Sequence, residues 1–494
     1  MQFKFLGCAV AASLFAPLAL AQPVSPQVHQ LPFSTTTSFE SLRLGHGERL
    51  GLLGLGVLFE PDEHWAVGPQ VYGAASGSRG GFFVGGVALE RRWQVSARNE
   101  LKVGAFAGGG GGGGAAVGGG LMLKLSLGLQ HDFGPVKAGV FVSRIDFPNG
   151  HIRSNQAGVM LSWDSNYNYF DAMWAGESVK NTLRGGLGFD RIAFTAARHQ
   201  LSAASQTNSR TLDAVGIRAD RWLDPHWYAG IEAGAAAHGG ADGYAEGLAT
   251  LGWEHDLRSL GLPALSVGAR GALGLGGGGA VKTGGGVIAK AGAGLRLKLT
   301  PTYSIGLEGG AVRSLGGHDH ARYAQLLLGM DFDRPNFLTG RIDEAGIQRN
   351  EWALSVEHVS HAARKMGPAL SLDTVGLKLN HYLSDHLYLT GQAHSAFAGH
   401  AGAYSVGLVG LGVDLNTDRS AWSAGAELLA GAAGGGGVYT EGGAIAQALG
   451  WVGVPVTRNG QLRLGAGRIK SLRGGLDSPV FELSWTQAFG LAGH

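Results

Sequence analysis

Along most of this chain apolar side chains recur at every second position. Leu121, Leu123, Leu125, Leu127 and Leu129 alternate with Met122, Lys124, Ser126, Gly128 and Gln130. Later, Ala289, Ala291, Ala293, Leu295, Leu297 and Leu299 alternate with Lys290, Gly292, Gly294, Arg296, Lys298 and Thr300. A helix would mix the two sets around its axis, whereas a strand puts them on opposite faces. The pattern predicts eight strands in the middle of the chain, near 190–200, 210–223, 226–237, 243–256, 263–275, 286–300, 302–313 and 321–333. Most exceed the five or six residues usual in globular sheets and reach the roughly 9–11 that cross a bilayer at a tilt.

The same landmarks come round three times. Phe59-Glu60-Pro61-Asp62-Glu63-His64-Trp65 is echoed by Leu223-Asp224-Pro225-His226-Trp227-Tyr228 and by Leu383-Ser384-Asp385-His386-Leu387-Tyr388. Glycine blocks follow each, at Gly108 to Gly114, Gly276 to Gly279 and Gly434 to Gly437, and then a second cluster at Gly118 to Gly120, Gly284 to Gly286, and Gly442 with Gly443. A period of this length is too long for a solenoid repeat of about 20–50 residues and long enough for a small domain. The expected organisation is a leader at 1–21, then β repeats at 22–165, 166–335 and 336–494, giving about 24 strands.

Composition narrows the class. The 494 residues include 87 glycines, 15 prolines and one cysteine, with 45% hydrophobic and 15% charged residues. Glycine lacks the strict period of collagen, and its cost of about 1 kcal/mol per helix-interior site excludes helix bundles. The apolar content argues against disorder. Thirty-nine basic against 37 acidic residues give no nucleic-acid signature. Lys4, an apolar stretch from Phe5 to Leu20 and Ala19-Leu20-Ala21 read as a cleaved export signal. That signal contains Cys8, so the mature chain is expected to carry no thiol.

The strand faces point to a membrane. The polar face is mostly glycine, alanine and serine with sparse charges, such as Arg270 among Ser266, Gly268 and Gly274, or Glu232 between Gly230 and Gly234. The other face is apolar, with Trp65, Trp227, Trp422 and Trp451 near strand ends. Phe481, Leu483, Trp485 and Phe489 then alternate towards the C-terminus, with Gly490 to His494 beyond. These features resemble the Gram-negative outer-membrane β-barrel class, apolar outside and polar or small inside. The resemblance implies an antiparallel transmembrane barrel in the cell outer membrane, in contact with its lipids and inserted by the barrel-assembly machinery. One merged barrel of about 24 strands is the preferred expectation, and three tandem eight-stranded barrels are the alternative. A secreted all-β protein of three sandwich domains is the soluble rival.

Within that class the expected role is a channel or export conduit, for a polymer such as a polysaccharide, with periplasmic export partners filling the pore. The alternatives are a lipid-modifying hydrolase and a purely structural or surface-interaction barrel. Lys124, Glu232, Arg270, Lys290, Arg296, Lys298 and Glu427 are the candidate lumen-facing charges. In a wide lumen they would bias passage, and in closed small barrels they would pair. Gly279-Ala280-Val281-Lys282-Thr283 is a poor phosphate loop, because Val281 replaces the glycine before lysine and no helix is expected to follow. His318-Asp319-His320 reads as a hairpin tip before a metal pair, and no metal or cofactor is expected. Glu357, His358, Ser360 and His361 raise a hydrolase only if a hydroxyl finds a base and an orienting acid, and no catalytic residue is assigned.

Overall fold

The computed structural model describes residues 25–202, 209–416 and 421–493. The expected leader and Cys8 lie outside them. The chain forms three sheets, each closed on itself. The first contains β1 (His29–Arg43), β2 (Arg49–Phe59), β3 (Trp65–Ser76), β4 (Phe83–Ser96), β5 (Asn99–Gly111), β6 (Met122–Asp132), β7 (Lys137–Asp146) and β8 (Arg153–Tyr169). A short β9 (Ser178–Leu183) follows in the connection. The second barrel contains β10 (Arg191–Leu201), β11 (Thr211–Trp222), β12 (Trp227–His238), β13 (Ala245–Leu257), β14 (Leu262–Gly277), β15 (Val287–Lys298), β16 (Tyr303–Ser314) and β17 (His320–Asp331). The third contains β18 (Arg341–Ala362), β19 (Leu370–Tyr382), β20 (Leu387–Ala398), β21 (Ser405–Asp414), β22 (Ser423–Gly434), β23 (Ala444–Pro455), β24 (Gly460–Ser471) and β25 (Asp477–Ala492).

All neighbours are antiparallel, and in each barrel the last strand returns to the first. Thr37 faces Leu161 across β1 and β8, Ala196 faces Leu326 across β10 and β17, and Val356 faces Leu483 across β18 and β25. The merged ring is therefore corrected to the alternative of three eight-stranded barrels. The reason is backbone satisfaction. β8 spends its edge on β1 from Gly158 to Tyr169 and has none left for β10. The connection instead adds β9 to the early part of β18, where Lys180 faces Glu344. The strands of the second barrel begin and end within a few residues of the positions expected from alternation.

The glycine clusters acquire a structural role at one end of the molecule. Val117, Val281 and Val438, from the loops after β5, β14 and β22, fold back over the barrel mouths and are buried. They join Leu42, Phe82, Met122 and Phe147 in the first barrel, Leu201, Leu212 and Tyr244 in the second, and Leu372, Tyr404 and Leu476 in the third. Each mouth at this end is filled by apolar side chains.

The same loops dock the barrels to one another. Gly80 N–H of the first barrel donates to Gly284 O of the second at 2.8 Å, and Gly402 N–H of the third donates to Gly118 O of the first at 3.0 Å. Between the second and third, Thr440 Oγ1 donates to Asp242 Oδ2 at 3.2 Å, and Lys365 Nζ lies 2.7 Å from the same oxygen. The third strand of each barrel thus meets the loop before the sixth strand of the next, and the cycle closes. Gly286, Gly120 and Gly443 hold φ of +103°, +97° and +95°, and a Cβ on them would fall within 3.0 Å of Ala74 O, Ala396 O and Ala236 O respectively. Each of those carbonyls belongs to the neighbouring barrel, so glycine permits backbone to meet backbone here.

Candidate functional site: the barrel interiors

Alternation aims one set of side chains into each narrow barrel, and there the charges find each other. In the first, Glu40 accepts from Lys124 and Ser143, and from Gln156 Nε2 at 3.0 Å. The Lys124 ammonium lies 4.8 Å from the Tyr72 ring centroid and 4.7 Å from that of Phe141. In the second, Lys290 Nζ contacts Glu232 at 2.5 Å and Gln325 Oε1 at 3.1 Å. Arg270 reaches Glu232 at 2.7 Å and Glu308 at 2.8 Å, while Arg218 bridges Glu308 and Asp220. Arg296 pairs with Glu254 and with Asp331, the latter at 3.1 Å. In the third, Lys378 Nζ lies 2.9 Å from both Glu427 and Glu482.

Six of the seven candidate charges are thus buried or nearly so and paired inside the barrels. Lys298 points along the same face of β15 but is exposed at its end. They are not gathered into one lumen: Lys124 is in the first barrel, Glu427 in the third, and the others in the second. Arg218, Glu308, Lys378 and Glu482 belong to the same interior set, and alternation marks them as well. Glu482, for example, sits between the exposed Phe481 and Leu483. Trp451 corrects an expectation, because it points inward, donates from Nε1 to Tyr388 Oη at 3.1 Å and stacks under Arg463. In β23 both Leu449 and Trp451 face inward while Gly450 faces out, so hydrophobicity alone inverts the faces there.

Glu357, His358, Ser360 and His361 do not assemble. His358 turns outward to Asp373 at 2.7 Å, and Glu357 turns inward. Inside the third barrel a different set meets: Ser355 Oγ lies 3.2 Å from His394 Nε2, and His394 Nδ1 lies 3.7 Å from Glu357 Oε2. The spacing is that of a hydroxyl, a base and an acid, but all three are buried. Gln447 Nε2 also binds Glu357 at 2.9 Å. Lys282 is exposed on a loop that leads into β15, not a helix, and Asp319 accepts from Ser202 Oγ at 2.9 Å.

Two cavities lie inside the second barrel. A cavity of about 60 Å³ lies among Arg218, Glu254, Arg270, Arg296 and Glu308, and another of about 20 Å³ lies among His199, Tyr244, Thr283 and Asp319. The Lys290 and Glu232 layer falls between them. Such volumes hold a few waters each.

The exterior has the opposite polarity. Leu125, Leu127 and Leu129 are 63%, 48% and 48% exposed, while Lys124 and Gln130 on the inner face are 6% and 1% exposed. Exposed tryptophans gather towards the end away from the glycine loops, among them Trp65, Trp93, Trp163, Trp227 and Trp422. Along β8, ten residues separate exposed Trp163 from exposed Arg153 at the other rim. At about 3.3 Å per residue and a tilt near 40°, that distance is roughly 25 Å along the barrel axis. No helix among the described residues is long and apolar enough to cross a membrane.

No family model matches the chain, and no curated protein matches it. Solved structures similar to it include the ferric enterobactin receptor of Pseudomonas aeruginosa, at 10% identity and TM-score 0.28, covering 93% of this chain and 81% of that one. A siderophore receptor of Acinetobacter baumannii has 8% identity and TM-score 0.28, covering 95% and 81%. The outer membrane protein opdK of P. aeruginosa has 10% identity and TM-score 0.23, covering 93% and 99%.

Proposed function

We propose that the protein is an integral protein of the Gram-negative outer membrane, in which three barrels cross the bilayer side by side as one unit with shut lumens. The observation that carries this is the reversed polarity, with exposed leucine outside and paired charge inside. A soluble barrel would gain nothing from that arrangement and would aggregate through its apolar belt. The roughly 25 Å from the tryptophan rim to the arginine rim along β8 suits an outer-membrane barrel. The barrel-assembly machinery and outer-membrane lipids are the corresponding partners. Closed sheets, neutralised interiors and apolar caps favour the structural or surface-interaction role among those expected.

A channel is the second reading, favoured by the two cavities on either side of the Lys290 layer. In this form it is a narrow, gated path through the second barrel. A polymer-export conduit filled by periplasmic partners would need a far wider lumen than eight strands provide. Planar-bilayer recording of the purified chain separates these readings. The closed unit is expected to give no large stable steps. Lys290→Ala is expected to add small conductance if the gated path exists. Large steps from the unmodified chain would contradict shut lumens.

A further inference from the structure

We propose that the outer rim at the glycine-loop end is a binding surface for phosphate-bearing lipid headgroups. The inference rests on the membrane reading and adds an orientation and a ligand to it.

The rim is basic where the barrels turn away from one another. In the first barrel, exposed Arg43 and Arg49 sit directly opposite each other on β1 and β2, and exposed Arg144 and Arg153 lie on β7 and β8. In the second barrel the equivalent strands carry Arg198 on β10, Arg313 on β16 and Arg322 on β17, all exposed. Arg153 has Asp146 and Arg198 has Asp213. For Arg43, Arg49, Arg144, Arg313 and Arg322, no carboxylate of a described residue lies within 4.0 Å. Like charges directly opposite on neighbouring strands repel. No described residue therefore supplies a counter-ion to the Arg43 and Arg49 pair.

The third barrel differs, and that difference gives a control. Its β24 places Arg468 and Lys470 at the same height, where Asp477 neutralises both, at 2.5 and 3.5 Å, so that only exposed Arg473 in the following turn lacks a carboxylate of a described residue. The anion-seeking arc is thus centred on the first two barrels.

Position decides the kind of anion. The free guanidinium groups lie at the upper edge of the exposed leucine and valine belt, and the tryptophans lie at the lower edge. A group that meets both the belt and the arginines has acyl chains below and phosphate above. Planar guanidinium forks match phosphate oxygens two at a time. The ligand class is a phosphorylated lipid, and the leaflet it occupies is the one at the glycine-loop end.

The test uses the full chain reconstituted in phosphatidylcholine nanodiscs and titrated with diphosphorylated and dephosphorylated lipid A, bound lipid being counted by native mass spectrometry. Preference for the diphosphorylated form is expected, weakening at high salt. Removing charges with Arg43→Gln, Arg49→Gln and Arg144→Gln is expected to lower that preference about fivefold per residue, from roughly 1 kcal/mol for each cation near an anionic surface. Arg468→Gln is expected to change it little. Equal binding of both lipids, or no loss in the triple variant, would overturn the proposal. So would displacement of the lipid by millimolar inorganic phosphate. Failure of the unmodified chain to enter phosphatidylcholine at all would instead refute the membrane reading, so the two failures are distinguishable.

Discussion

Gly443→Val is expected to part the second barrel from the third while leaving each barrel closed. Gly443 holds φ +95°, and a Cβ there would intrude on Ala236 O across the seam. A β-branched residue forced into that backbone region costs about 1–3 kcal/mol before any overlap. Relief of the overlap requires the barrels to separate, because both contacting groups are backbone. The Lys365 and Asp242 ion pair at this same seam supplies the readout. A zero-length carbodiimide reagent should join the two residues in the unmodified chain. The join is expected to disappear in Gly443→Val and to persist in Gly120→Val, which loosens the seam between the first and third barrels. Undiminished crosslinking in Gly443→Val, with an unchanged unfolding midpoint, would show that the seam is not held as described.

Lys378→Met should produce the largest loss of stability within a barrel. Its ammonium is the shared partner of Glu427 and Glu482, all three being buried. Removing the cation strands two carboxylates in a low-dielectric interior, a change that costs about 3–5 kcal/mol for a broken buried pair. The penalty lies in the unpaired anions and not in lost attraction alone. Lys378→Met combined with Glu427→Gln and Glu482→Gln should therefore recover most of the stability. Urea unfolding in detergent, followed by tryptophan fluorescence, measures both variants. A triple variant as unstable as the single one would place the cost in packing instead of charge.

Strand class and strand bounds were legible in the sequence because period-two alternation is a local signal. The inward charges were legible for the same reason, as Lys124 and Lys290 show on β6 and β15. Closure was not. Whether β1 or β10 pairs with β8 is a choice between distant segments, and no local pattern near Gly158 to Tyr169 records it. The glycine clusters were visible as landmarks and as tight-turn residues. Their contact with the next barrel was hidden, because a missing Cβ does not say which backbone approaches. Alternation does not place Trp451, because its neighbours Gly450 and Gly453 are small on both faces, which leaves burial to be decided by the Tyr388 and Arg463 contacts.

The β25 terminus shows the same division. Phe481 and Leu483 point outward as alternation predicts. The strand nevertheless runs on to Ala492, because β18 is long enough to pair Ile347 with it. Phe489 is then buried, its ring 5.9 Å from that of Tyr167 in the first barrel. Gly490 to Ala492, past the near-terminal aromatic, are part of the sheet.

Disulfide trapping tests three separate closures most directly. Cysteines would be placed in pairs at Thr37 with Leu161, Ala196 with Leu326, and Val356 with Leu483, in a chain with Cys8 replaced by serine. Antiparallel partners stand about 4.5–5.5 Å apart at Cα, within disulfide reach. All three pairs are predicted to oxidise in membranes, each within its own barrel. A disulfide between Thr37→Cys and Leu483→Cys, with the three intrabarrel pairs staying reduced, would contradict the account by showing one ring that closes from first strand to last.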